Sequence, residues 1–230
     1  MFHPEGPTFV ELVRQALSST ERGYDLLAPK FDLTPFRTPD DVIRATLSEI
    51  GEQVDNALDL CCGTGAAMRW LRPHCRGRVV GIDFSEGMLA ESARLGPGYE
   101  LVLGDVLAMD FEAEFDIATC FGAFGHILPK DEDRFLDGVR RALVPGGRFL
   151  FATAERPPAW SVQRVTAHAF NAAMSVRNLL WRPRFIMYYL TFVLPDVVQQ
   201  LERHGFSVRI TNPRLAPPFH PMRVVVATKA

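Results

Sequence analysis

Ala57-Leu58-Asp59-Leu60-Cys61-Cys62-Gly63-Thr64-Gly65 runs a short apolar strand into a glycine turn that opens a helix. Such a turn brings backbone N–H groups close to a ligand at the positive end of a helix. It lies at the carboxyl edge of the sheet, where open α/β folds bind ligands. Eighteen positions past Gly65, at the end of the next apolar run, Asp83 can accept hydrogen bonds from both hydroxyls of a ribose. A plain tight turn and a capping aspartate ahead of Ser85 would account for each feature singly; together they point to a nucleoside-containing ligand. A dinucleotide fingerprint places glycine or alanine three residues after its second glycine, so that helix and strand pack closely. Here that position is Met68, which leaves a nicotinamide dinucleotide as the alternative ligand.

The flanking sequence reads as repeated strand and helix. Residues 8–17 place Phe9, Val13 and Leu17 four apart, a one-sided helical stripe. Thr38-Pro39-Asp40-Asp41 caps a second helix that carries Ile43, Leu47 and Ile50 and stops at Gly51. Apolar runs at 56–60, 78–83, 99–103, 115–120 and 148–152 alternate with helical stretches at 65–71, 86–94 and 131–143. The last of these turns Phe135, Leu136, Val139 and Leu143 inward and is stopped by Pro145-Gly146-Gly147. Repeated βα units specify a mainly parallel sheet with helices on both faces. Beyond Pro157-Pro158, residues 160–180 read as a largely buried helix with one wet edge, formed by Arg164, His168, Asn171, Ser175 and Asn178. A helix at 195–205 and strands at 206–210 and 223–228 complete the chain. The expected organisation is a single domain: an N-terminal helical cap (1–51), a ligand-binding core (52–155), a lid insertion (156–194) and a closing helix with strands (195–230).

Composition sets the class. At 230 residues with 47% hydrophobic and 23% charged side chains, the chain buries a sizeable core and is too apolar for disorder. Four cysteines without a C-x-x-C spacing argue against a disulfide framework and against structural zinc, and the six histidines lack ligand spacing, so no metal is expected. The opening Met1-Phe2-His3-Pro4-Glu5 has no basic and apolar leader pattern, which with the reduced thiols predicts a cytoplasmic address. The longest apolar run, 185–194, is too short to cross a bilayer. Charge is divided unevenly: residues 1–155 carry 15 Lys and Arg against 25 Asp and Glu, and residues 156–230 carry 10 against 2.

Five stretches in order resemble the motifs of the class I S-adenosylmethionine-dependent methyltransferases. The first two are Leu58 to Gly65 and Val80-Gly81-Ile82-Asp83-Phe84-Ser85-Glu86-Gly87-Met88-Leu89. There follow Gly104-Asp105-Val106, then Phe115-Asp116-Ile117-Ala118-Thr119-Cys120-Phe121, and Leu143-Val144-Pro145-Gly146-Gly147-Arg148-Phe149. The resemblance implies a Rossmann-like seven-stranded α/β sheet whose last strand is antiparallel, with S-adenosyl-L-methionine across the carboxyl ends of the first strands. It implies that Asp59 and the backbone from Cys61 through Gly63 to Gly65 hold the methionine moiety, and that Asp83 holds the ribose. Phe84 and Met88 would take the adenine faces, Asp105 with Val106 its edge, and Cys120 and Phe121 would lie beside the methyl. Cys61 stands where the family's commonest pattern has glycine, as in related methyltransferases of quinone biosynthesis. Tyr24-Asp25 also resembles those enzymes, in which the tyrosine would close over the cofactor.

Methyl transfer in this family is an in-line displacement that demands alignment, closeness and exclusion of water. For a hydroxyl acceptor, His126, just past the fourth strand, is the candidate general base, with a structural histidine as the competing reading. The lid holds Trp160, Phe170, Trp181, Tyr188 and Tyr189, which suits a small hydrophobic or aromatic acceptor. Arg177, Arg182 and Arg184 would suit an acidic group on it, or peripheral contact with an anionic membrane. A nucleic-acid substrate is disfavoured, because no basic run is interleaved with aromatics. The alternatives are an NAD(P)-dependent oxidoreductase and a non-catalytic protein that binds S-adenosylmethionine.

Overall fold

The computed structural model describes residues 3–230; Met1 and Phe2, on which part of the leader reading falls, lie outside the described residues. The strands are β1 (Ala57–Leu60), β2 (Val79–Asp83), β3 (Glu100–Leu103), β4 (Phe115–Cys120), β5 (Leu143–Ala154), β6 (Phe206–Thr211) and β7 (Met222–Lys229). They form one sheet in the order β3-β2-β1-β4-β5-β7-β6. Strands β1 to β5 are parallel, and β7 runs antiparallel to both of its neighbours, β5 and β6. The helices are α1 (Phe9–Ala16), α2 (Thr20–Leu27), α3 (Asp40–Leu47), α4 (Met68–Leu71), α5 (Glu86–Ser92), α6 (Glu132–Ala142), α7 (Val162–Leu180) and α8 (Asp196–Arg203).

β1 and β2 are buried along their whole length, as central strands covered on both faces must be. Alternation then divides the core. Leu58, Leu60 and Ile82 join Phe135, Leu136, Val139 and Leu201 under α6 and α8. Ala57, Val79 and Ile117 join Ile43, Leu47, Met68 and Leu71 under α3 and α4. On α6 the positions read as inward are fully buried, and each large side chain of this kind contributes roughly 1.5–3 kcal/mol of burial.

Three expectations are corrected. Residues 65–67 are turns, so α4 is one turn long: Gly65 sits at φ +79°, outside the helical region. β5 starts at Leu143, because Phe115 pairs with Leu143 and Ile117 next with Arg148, so that Pro145-Gly146-Gly147 loops out of register. The largest correction concerns α7, whose only buried residue is Asn178. Of its polar stripe, Arg164, Asn171 and Asn178 face inward. Asn171 accepts from Tyr189 N (2.8 Å) and donates to Tyr189 O (3.0 Å), while Asn178 does the same at Phe185 (2.9 Å each). His168 and Ser175 face outward. α1 is turned the same way, with Gln15 buried and Phe9 80% exposed.

The lid insertion leaves and rejoins the sheet at one point. Glu155 bridges to Leu194, Arg156 N donates to Leu194 O (2.9 Å) and Leu194 N donates to Ala154 O (3.0 Å).

Candidate functional site

β1 has β2 on one side and β4 on the other, and the crevice beyond the carboxyl ends of such a switch point is where open α/β sheets bind ligands. A cavity of about 310 Å³ opens there. Its floor is the glycine turn. Gly63, at φ +54°, would point a Cβ into open space, so its backbone is bare to the cavity. Gly65 does different work: a Cβ there would come within 2.5 Å of Ser92 and Leu95, so this glycine seats the turn against α5. Cys61 holds φ +53° although it carries a side chain, a strained backbone of the kind that collects at ligand sites.

Two buried carboxylates stand in the cavity wall. Asp83 Oδ2 accepts from Gly63 N and its Oδ1 from Ser85 N, both at 2.9 Å, which fixes the carboxylate at the end of β2. Burial raises its pKa, and the backbone bonds from Ser85 and Gly63 only partly oppose this. Asp59 accepts from Thr119 Oγ1 (2.7 Å). Burial pushes its pKa up to about 7; the Thr119 bond works against that and the charge of Asp83 works with it. The Cys61 thiol is driven up by its hydrogen bond with Cys120 and then by burial, and the Cys62 thiol by burial, so both stay protonated and neither is a nucleophile at neutral pH.

The N-terminal cap supplies the opposite wall. Asp25 on α2 accepts from Ser85 Oγ (2.6 Å) and Gly87 N (3.0 Å), which fastens α2 to the start of α5. One residue earlier, Tyr24 meets Phe31 and Phe84 edge to face. Thr64 of the turn donates to Asp32 (2.7 Å). Arg37, also in the wall, bonds Asp40 (2.5 Å) and Thr38 O (3.2 Å); its buried Nε lies 3.4 Å from Asp32 and makes no hydrogen bond.

His126 closes the far end. Its Nδ1 lies 2.5 Å from Ile186 O, and a carbonyl only accepts, so the imidazole proton is assigned to Nδ1. Nε2 is then the acceptor for the Tyr24 hydroxyl at 2.7 Å. Burial lowers the His126 pKa against the opposing effect of Ile186 O, so the ring is neutral at pH 7. A second cavity of about 370 Å³ adjoins the first, and Thr38, Phe121, Gly122, His126, Met187 and Tyr189 line both.

Of the residues singled out in the sequence, Tyr24, Asp59, Cys61, Gly63, Asp83, Phe84, Met88, Phe121 and His126 line the first cavity. Four do not. Gly65 packs on α5, Cys120 is wholly buried behind Cys61, and Val106 belongs to the core under α6. Asp105 is exposed and accepts from Leu107 N (2.9 Å) as a turn residue. Arg177 is engaged by Ser18 O and Pro183 O, while Arg182 and Arg184 are exposed. The cation of the cavity wall is instead Arg37, which the sequence reading missed together with Phe31, Phe36 and Met187, whereas Tyr189, read there as a lid aromatic, does line the cavity. The Thr38-Pro39 helix start marked the neighbourhood of Arg37 but carried no sign that the chain folds back over the glycine turn.

A strand, a glycine turn with bare backbone, a buried carboxylate at the end of the next strand and an aromatic cap fit an α/β nucleoside-cofactor-binding protein. The family described as "Methyltransferase domain" matches residues 57–147. The demethylmenaquinone methyltransferase of Staphylococcus aureus is 34% identical over 172 residues, covering 68% of this chain and 70% of that protein. The chain belongs to the class I S-adenosylmethionine-dependent methyltransferases, whose methyl donor is S-adenosylmethionine, and the oxidoreductase alternative falls with that membership. The demethylmenaquinone methyltransferase of Beutenbergia cavernae is 32% identical, over 59% of this chain and 58% of its own. The 2-phytyl-1,4-naphtoquinone methyltransferase of Thermosynechococcus vestitus is 40% identical, over 40% and 43%. The chain thus spans about half the length of the first curated relatives it matches. Among solved structures, the DhpI complex with SAH aligns at TM-score 0.67 and 20% identity, over 96% of this chain and 98% of that one. Magnesium protoporphyrin IX methyltransferase from Synechocystis PCC 6803 aligns at 0.57 and 16%, over 83% and 81%; both likenesses concern the fold.

Proposed function

We propose that the protein transfers the methyl group of S-adenosylmethionine to a small, hydrophobic acceptor held in the second cavity. The observation that carries this reading is the pair of adjoining cavities with Phe121, His126, Met187 and Tyr189 common to both. The residues present fit the cofactor. The bare backbone at Gly63 leaves space for the methionine end, Asp59 and the Arg37 guanidinium line the cavity as partners for its amino and carboxylate groups, and Asp83 stands ready for ribose hydroxyls. Phe84 and Met88 supply apolar faces for the adenine. Asp105 and Val106 remain candidates for its edge, though both lie outside the cavity outline.

When bound, S-adenosylmethionine supplies an electrophilic sulfonium methyl for in-line displacement. The protein's part is to align the acceptor, exclude water and take up a proton. Tyr24 and the lid residues Met187 and Tyr189 roof the cavity. His126 Nε2 is already engaged by Tyr24, so a proton leaving a hydroxyl acceptor would pass to Tyr24 Oη as the Tyr24 proton moves to Nε2. The quinone substrates in the names of the relatives make naphthoquinols the first acceptors to assay.

Calorimetric titration with S-adenosylhomocysteine tests the cofactor half. Asp83→Ala should weaken binding by at least about 1.5 kcal/mol, and unchanged affinity in a folded variant removes Asp83 from the site. His126→Ala should lower turnover of a naphthoquinol at least about tenfold with cofactor affinity intact. Equal turnover would leave His126 as scaffold.

A further inference from the structure

The inverted faces of α1 and α7 are left uncovered among the described residues. Along α7 one exposed stripe at helical spacing consists of Val162, Val165, Ala169, Ala172, Ala173, Val176, Leu179 and Leu180 with Thr166 among them. Exposed Gln163, His168 and Ser175, none of them Asp, Glu, Lys or Arg, flank it. Val162 is 78% exposed and Leu179 80%, and no Asp, Glu, Lys or Arg of α7 is exposed. An indole stands at each end: Trp160 is 94% exposed and Trp181 52%. The end of α1 approaches α7, because Arg177 on α7 donates to Ser18 O, just past α1, at 3.0 Å. An apolar surface of this extent marks a docking face.

The charges around it choose the occupant. Residues 156–195 contain five arginines and no aspartate or glutamate. Arg182 and Arg184, next to Trp181, are exposed and make no ion pair among the described residues. Glu11, the acid of α1, is already paired with Lys30 at 2.7 Å. No described helix is long and apolar enough to cross a membrane. An uncharged apolar helix face about 28 Å long, with indoles at its ends and unopposed arginines beside it, is the pattern of a helix lying in the headgroup plane.

We infer that the α7 face, with the exposed face of α1, docks on an anionic lipid surface. The apolar side chains enter the acyl boundary, the tryptophans sit at headgroup level, and Arg182 and Arg184 meet lipid phosphates. This inference is independent of which acceptor is methylated and of the cofactor assignment.

The test is flotation of the full chain with vesicles of phosphatidylcholine containing about 30% phosphatidylglycerol, and with phosphatidylcholine alone. The wild type should float with the anionic vesicles, and Leu179→Glu/Leu180→Glu should weaken this at least about tenfold. Arg182→Ala/Arg184→Ala should reduce the preference for phosphatidylglycerol, most at low salt. Unchanged thermal melting shows that the variants are folded. Independently of any variant, vesicles with brominated acyl chains should quench the wild-type tryptophan emission. Absence of vesicle binding, binding indifferent to the glutamates, or no quenching would overturn the inference. So would a dimer in sedimentation velocity that the glutamates dissociate, which would assign the face to a second copy.

Discussion

Asp59 sits one residue before the end of β1 with its carboxylate buried, bonded to Thr119 and facing the field of Asp83. Neither aspartate makes an ion pair among the described residues. The folded chain therefore holds the Asp59 proton up to about pH 7, whereas an unfolded aspartate releases it near pH 4. The sign follows: the contribution of this group to stability is full below about pH 4 and is lost as pH rises to 7, with about 4 kcal/mol as its upper bound. Asp59→Asn should flatten the decline in stability between pH 5 and 7.5 in urea melts and weaken S-adenosylhomocysteine binding at pH 7.5. A slope that survives the substitution would place the titration elsewhere. The positions of Asp59 and Asp83 were legible because each stands at or near the carboxyl end of an apolar strand, which fixes its place at the sheet edge. Arg37 was not, because its place comes from the cap's path over the turn and its bonds to Asp40 and Thr38, which no local pattern announces.

Between elements, the seating of α4 on β2 depends on a glycine in the strand rather than in the turn. Met68 occupies the position where a dinucleotide fold has a small residue, and Gly81 of β2 makes room for it: a Cβ at 81 would lie 2.4 Å from Met68 Sδ and 2.8 Å from Cys62 Sγ. Gly81→Ala should overpack this contact and cost about 1–3 kcal/mol in chemical denaturation, with Met68→Ala in the same chain restoring part of the loss. Purely additive effects would show that the contact is not shared. The central strands were readable because burial on both faces leaves continuous apolar runs. The orientation of α1 and α7 was not. A hydrophobic stripe reveals that a helix has two faces, but only the surroundings decide which of them turns inward, and on α7 the asparagines found backbone partners in the lid.

At the level of the molecule, the cap and the lid form one roof although some 160 residues separate them in sequence. Arg177 bonds Ser18 O, Ile186 N donates to Thr20 Oγ1 (2.8 Å), and Gly23 makes room for the Phe185 ring, which would lie 2.8 Å from a Cβ there. Tyr24 then reaches His126, which in turn bonds Ile186 O. A ligand beneath this roof should order both parts together. Limited proteolysis with S-adenosylhomocysteine should suppress cleavage within 8–36 and within 183–192 to the same degree. Protection of only one segment would mean that they move separately. The mainly parallel sheet and a ligand site at its carboxyl edge were legible from the succession of βα units and the glycine turn, whereas the strand order came only with the structure. The joint roof was not, since it rests on single contacts between the two ends of the chain.

The bridge between Glu155 and Leu194 gives the lid a closed base: the segment departs from β5 and returns beside its own point of departure. Its ends are neighbours, so a segment of another length or sequence fits the same stub without shifting a strand, at a loop-closure difference that grows only slowly with length. The strands and the glycine turn are thereby insulated from sequence change in the lid, whereas the cap, which the lid touches at Ser18 and Thr20, has to change with it.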